Sequence, residues 1–404
     1  MKPRKLLFWC HLIAGCTAGI VILIMSISGV LLAFERQIIA WSGERYKVAP
    51  RPAGSQSPSI EMIEKLVDVS TPPSPSITIR ASATAPVELS FGRDRTVFVD
   101  PTTGKMLTQQ SKGIRVFFAT VERIHRALGG ELRQSLGRNI TGVCNLLFFF
   151  LVVSGFYLWF PKKYSRQYFR PGLWFEKGLK ARARYLNWHK VIGFWSAIPL
   201  FIIVLTGIIM SYSWATNLLY RVTGTQPPPQ QAELRNAGAQ DRSARGAHKE
   251  SRSRHRNSSP DVKSLDVLLA VVERTVPGWK SITFRLPARG DESITFSVDE
   301  GTGGQPQKRH QFTLSRTSGE VKREEGFATY NLGRKLRTIA RFLHTGEILG
   351  IGGQIIAAIA SFGASLLVFT GLALAIRRLV GLYRRKAAAN RIVKNSGELQ
   401  TSNR

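Results

Sequence analysis

Residues 9–29 read WCHLIAGCTAGIVILIMSISG, and residues 187–207 read NWHKVIGFWSAIPLFIIVLTG. Each stretch places a histidine just after a tryptophan, His11 two residues after Trp9 and His189 one residue after Trp188. Each then runs through apolar residues to a hydroxyl–glycine pair, Ser28-Gly29 or Thr206-Gly207, seventeen positions after the histidine. A bilayer core needs about 20 apolar residues of helix, so both read as transmembrane helices. Two further apolar runs end the same way, in Ser154-Gly155 and Thr370-Gly371. Each of those pairs lies seventeen residues after a glycine, Gly137 or Gly353. Small residues let helix backbones approach closely in lipid, and that is the role the four pairs suggest.

The expected spans are 7–34, 139–160, 191–214 and 354–376, and none contains Asp, Glu, Lys or Arg. Ile13-Ala14-Gly15-Cys16 has the look of a lipoprotein cleavage box. The apolar run nevertheless continues to Phe34, where a mature lipoprotein would turn polar, so the segment reads as a retained helix. Cys10, Cys16 and Cys144 are the three cysteines, all in or beside apolar runs, and no disulfide framework is expected in the polar regions.

The chain holds 57 Lys and Arg against 26 Asp and Glu, a net charge of +31. Much of this charge flanks the apolar runs, at Arg4, Lys5, Arg377, Arg378 and Arg384 to Lys386, which orients helices in a bilayer and argues against nucleic acid as a partner. The connection 161–190 and both termini are rich in Lys and Arg, so they belong in the cytoplasm. The expected location is the bacterial inner (cytoplasmic) membrane, crossed four times, with lipid as the surrounding partner. The segments 35–138 and 263–353 then face outward as two small α/β domains, and 377–404 forms a cytoplasmic tail. Residues 215–262 serve as a linker, disordered in its Pro-, Gln-, Ser- and Arg-rich part from 223 onward.

The outer segments repeat one another. Helical spacing at 59–70 and 263–275 is followed by strand-like runs at 76–81, 86–91 and 96–100, and again at 280–286, 292–298 and 310–315. Turn chemistry follows at Asp100 to Lys105 and at Ser315 to Glu320. The expected architecture is thus an α-helical integral membrane protein. Its four-helix bundle is built from two parallel repeats about a pseudo-twofold axis near the membrane normal.

Four of the seven histidines sit at corresponding places. His11 and His189 lie at the cytoplasmic ends of the first and third spans; His125 and His344 precede the second and fourth on the outer side. His248 and His255 in the linker and His310 in a strand-like run read as surface residues. Seventeen helical residues span roughly 26 Å, so His11 has no way of sharing a metal with His125. The pairs open to it are His11 with His189 and His125 with His344. Facing imidazoles in a bundle core are a common way to hold haem. Zinc usually takes three or four ligands with softer Cys partners, which this pattern lacks.

The Trp-x-His helix start at Trp9 to His11, Ile124 to Gly129, Phe342 to Gly346 and the Val99 to Lys105 strand and turn resemble the PepSY-associated transmembrane family, over nearly the whole chain apart from linker and tail. That family includes iron-regulated membrane proteins and ferric-siderophore reductases. The resemblance implies two b-type haems, PepSY-like outer domains, and reduction of Fe(III) delivered as a siderophore or other iron chelate. Candidate contacts for haem propionates, which need cationic neighbours, are Arg126, Arg138 and Arg341. No Gly-rich nucleotide loop follows a strand, so the electron donor is expected to be a membrane quinol or a cytoplasmic redox protein docking on the basic 161–188 loop. The contrasting expectation is a regulatory or peptidase-binding protein in which these histidines are structural.

Overall fold

A computed structural model describes residues 3–43, 48–50, 75–91, 95–107, 112–129, 134–161, 165–227, 262–287 and 291–402. The expected helix at 59–70, and His248 and His255, lie outside the described residues. Four long helices carry the apolar runs: α1 (Pro3–Leu32), α4 (Gln134–Trp159), α6 (Ala181–Ser211) and α10 (Gly350–Ser402). All four are long and apolar enough to cross a membrane. Between them lie α2 (Glu35–Gly43), α3 (Lys112–Ala127), α5 (Arg166–Leu173), α7 (Ser213–Val222), α8 (Leu265–Thr275) and α9 (Leu332–His344).

The long helices pack as a ring in which α1 and α6 each lie against both α4 and α10. Small and hydroxyl residues face inward: Ala14, Ala18, Ser26 and Ser28 on α1, and Ala360, Ala364 and Thr370 on α10, are buried. Large aliphatics face outward at heptad spacing, with Ile13, Ile20 and Ile27 each more than half exposed. A water-soluble bundle would invert that arrangement, because its association depends on hiding such side chains; helices in lipid associate through close packing of small residues. α1 begins well before the apolar run because Arg4 reaches the end of α4, donating to the carbonyls of Leu158 (2.9 Å) and Phe160 (2.5 Å).

Eight strands form one antiparallel sheet in the order β4-β3-β2-β1-β5-β6-β7-β8. They are β1 (Ser76–Arg80), β2 (Val87–Phe91), β3 (Arg95–Val99), β4 (Met106–Leu107), β5 (Ser281–Arg285), β6 (Ser293–Asp299), β7 (Arg309–Ser315) and β8 (Val321–Gly326). The two outer segments, expected as separate small domains, therefore meet edge to edge. β1 reads SITIR and β5 reads SITFR. They pair with Ser76 opposite Arg285, Thr78 opposite Thr283 and Arg80 opposite Ser281. The register is symmetric about the central threonines, whose hydroxyls lie 2.9 Å apart. Joining the edges removes two exposed strand edges and makes one shared core. Ile77, Leu89, Phe284 and Phe296 share that core with Leu268 and Leu269 of α8, a helix started by the Ser264 side chain accepting from Val267 N.

The expected strands recur within a residue or two at each end, and β4 and β8 add an outer strand on each flank. The linker expected from 215 instead begins with α7, where Tyr220 is buried. His310, expected on the surface, is half-buried; it lies 3.1 Å from Glu300 and stacks on Phe312.

Candidate functional site

Every one of the four expected histidines lies against a hydroxyl–glycine pair of another helix. His11 Nδ1 is 2.8 Å from Ser154 Oγ, and His189 Nδ1 is 2.9 Å from Thr370 Oγ1. His125 Nδ1 is 2.9 Å from Ser28 Oγ, and His344 Nδ1 is 3.3 Å from Thr206 Oγ1. The pairs read from sequence as simple helix-packing residues are thus the seats of the imidazoles.

The direction of these bonds follows from proton counting. A hydroxyl has one proton to give. Here each hydroxyl lies close to the carbonyl four residues back in its own helix: Ser28 to Ile24 (2.7 Å), Ser154 to Phe150 (2.6 Å), Thr206 to Ile202 (2.7 Å) and Thr370 to Leu366 (2.8 Å). With that proton spent, the oxygen accepts from Nδ1–H of the histidine. His344 makes the assignment firm, because its Nδ1 is also 2.8 Å from the carbonyl oxygen of Ile203, which only accepts. All four rings are thereby held as the tautomer whose Nε2 carries the lone pair, the form in which imidazole binds a metal.

The glycines provide the room. A Cβ built on Gly155 would meet His11 Cε1 at 3.2 Å, on Gly371 His189 Cε1 at 3.4 Å, on Gly207 His344 Cε1 at 3.2 Å, and on Gly29 His125 Cε1 at 3.6 Å. The fit is tightest at Gly155 and Gly207, where an added Cβ would press on the ring, and an ordinary contact at Gly371 and Gly29.

The seats form two levels. His125 rests on Ser28 of α1 and His11 lies seventeen residues earlier in that helix, which separates the levels by roughly 26 Å. At the sheet end, the His125 and His344 ring centroids are 6.3 Å apart with planes inclined at 64°. Two imidazoles that bind one metal ion at about 2.0–2.1 Å each can place their centroids roughly 6 Å apart, a separation like that of this pair. At the other end, His11 and His189 lie on α1 and α6, the diagonal helices of the ring, each seated on a hydroxyl of a helix that packs against both. Burial, and the neighbouring His344, push His125 down to about 4, and burial lowers His344, so both rings are neutral at physiological pH.

The three expected arginines are placed as follows. Arg126 donates to Glu122 one turn back (2.8 Å), Arg138 is exposed, and Arg341 lies over the ring of buried Phe342 at 5.7 Å. Other buried polar groups brace the helices. Asn145 donates to the Val204 carbonyl (3.3 Å) beside the Thr206-Gly207 seat, and Gln354 donates to the Ala33 carbonyl (2.7 Å). Among the described residues, no three His, Cys, Asp or Glu side chains gather as a metal cage.

A family model described as the PepSY-associated TM region matches residues 8–378. Comparison with curated proteins returned no match.

Proposed function

This chain belongs to the PepSY-associated TM region family and is a membrane protein, and from that premise we propose that it is a haem-containing oxidoreductase that carries electrons across the bilayer to a ferric chelate. A siderophore complex of Fe(III) is the substrate class that the family resemblance implies. One observation carries the reading. Each level offers two imidazoles whose Nδ1 lies on a hydroxyl, which leaves Nε2 as the metal-binding nitrogen, and among the described residues no group of three His, Cys, Asp or Glu gathers there. Zinc is normally enclosed by three or four protein ligands; two imidazoles alone suit a metal that brings its other ligands with it, as haem iron does. Haem b held by His11 with His189, and by His125 with His344, would supply a one-electron couple at each level.

The chain's own residues then have separable tasks. The hydroxyls of Ser154, Thr370, Ser28 and Thr206 fix tautomer and ring plane. The glycines beside them admit the rings. Packed shells at Ala18, Ile22 and Cys144, and at Leu200, Ala360 and Ala364, exclude water between the levels. The symmetric register of β1 on β5 and the four equivalent seats support two parallel repeats about a pseudo-twofold axis. The basic short segments support a cytoplasmic His11–His189 level and a periplasmic sheet in the inner membrane. The donor on the cytoplasmic side is a membrane quinol or a soluble redox protein.

The test is an optical spectrum of the purified chain, reduced with dithionite minus oxidised, with haem extracted and weighed against protein. Two low-spin haems per chain are expected. A protein that folds, inserts and carries no haem overturns the reading and leaves a regulatory or peptidase-binding role.

A further inference from the structure

The connection between α4 and α6 is built in a way the histidine seats do not require. The last turn of α5 and the residues after it, 171–176, fold back against the start of α6. Asn187, itself buried, donates from Nδ2 to the carbonyls of Pro171 (2.7 Å) and Trp174 (3.0 Å), and its Oδ1 accepts from Glu176 N (3.1 Å). Two indoles complete the clamp: Trp159 donates to Gly172 O (3.2 Å) and Trp195 to Leu173 O (3.0 Å). Gly172 is the tight point, since a Cβ there would meet the Trp159 ring at 2.8 Å.

The level of this clamp matters. Trp195 lies four residues, about 6 Å of helix, inside the apolar run that begins at Val191. The connection thus turns back to the depth of the apolar segment instead of projecting away from it. What it presents there is aromatic: Trp174, Phe175 and Trp195 are 63%, 59% and 60% exposed, with Trp174 and Trp195 ring centroids 6.5 Å apart. Around them stand the exposed cations Arg166, Arg170, Lys177, Lys180, Arg182 and Arg184, against one acid, Glu176.

We propose that residues 165–177 form an interfacial wedge that seats its aromatic face in the headgroup layer and binds anionic phospholipid through the surrounding Arg and Lys. Amphipathic aromatic rings belong at the membrane–water boundary, where one edge is apolar and the other wet. Cations beside them complement lipid phosphate and are favoured at an anionic leaflet. The face is continuous with the lipid-facing surface of α6, where Trp195 and Ile198 are exposed. The clamp gives the wedge a fixed pose, so its aromatic side chains are presented without an ordering cost on binding.

The experiment uses the full chain in vesicles of phosphatidylglycerol and phosphatidylcholine. A nitroxide is attached at Phe175→Cys, and separately at Lys180→Cys, with Cys10, Cys16 and Cys144 replaced by Ala. Collision with dissolved oxygen and with a water-soluble nickel chelate is read by power saturation. The label at 175 is expected to favour oxygen and the label at 180 nickel, and the difference should shrink when phosphatidylglycerol is omitted. Adding Asn187→Ala should move the label at 175 toward nickel by releasing the clamp. Equal nickel access at 175 and 180 in the anionic vesicles overturns the proposal, and would mark the segment as a water-exposed face open to a soluble protein. None of these readings depends on haem.

Discussion

Gly155 gives the sharpest test of the histidine seats. A Cβ at this position would lie 3.2 Å from His11 Cε1, whereas carbon atoms in contact settle at about 3.5–4.0 Å. Gly155→Ala therefore pushes the imidazole by about 0.3 Å or more. A constellation that binds a cofactor tolerates about 0.5 Å, so alanine should weaken the His11–His189 level without abolishing it. Gly155→Val sets methyls roughly 1.5 Å, one carbon–carbon bond, further out, beyond what the seat absorbs. The His125–His344 level, roughly 26 Å away, is an internal control in the same molecule. Gly29→Ala is the second control, because its Cβ would meet His125 at 3.6 Å, an ordinary contact. The assay is the haem-to-protein ratio of each purified variant, with its reduced-minus-oxidised spectrum. Two haems are expected for wild type and Gly29→Ala, and one for Gly155→Val, with Gly155→Ala between. Retention of both haems with an unshifted spectrum in Gly155→Val, or equal damage from both alanine variants, would refute the reasoning.

Thr370→Val keeps the shape of the seat but removes the acceptor for His189 Nδ1–H; groups that orient metal-bound histidines typically contribute about 10–100-fold in affinity, so haem should be lost from that level on dilution, while Thr370→Ser retains it. His125 sits near 4 in the folded chain and at about 6.5 when unfolded. Between those values only the unfolded chain takes up the proton, so thermal stability of the haem-free protein should fall as pH drops from about 6.5 to 4 and be recovered above, with a shallower slope in His125→Gln; a rise in stability on acidification would contradict this burial. Reporter fusions after Trp41 and after Arg384 should report opposite sides of the membrane, since an odd number of spans separates them; the same side for both would break the four-helix topology.

The hydropathy pattern was enough to locate four membrane helices. An uninterrupted run of about 20 apolar residues has few alternatives to crossing a bilayer. The seventeen-residue spacing from His11 to Ser28 and from His189 to Thr206 was equally legible, and it correctly separated two levels, because helical rise converts residue number directly into distance. What those spacings meant was not legible. Ser28 is not the partner of His11, which precedes it in the same helix, but of His125, which arrives from α3. Ser154 and Thr370 serve His11 and His189 only because α4 packs on α1 and α10 on α6. A hydroxyl–glycine pair looks the same whether it seats a helix or a ring, and only the neighbour decides.

The near-identity of Ser76 to Arg80 with Ser281 to Arg285 was present in the sequence as well. That these two strands pair with each other, making one eight-stranded sheet, depends on which edges the bundle brings together. Strand pairing across two hundred residues is non-local, and no local propensity specifies it. Asn187 is the last example. From sequence it is a polar residue before a tryptophan and a histidine; in the fold its amide closes the 171–176 turn from both sides, donating to two carbonyls and accepting from one N–H, partners that only the packed chain brings to it.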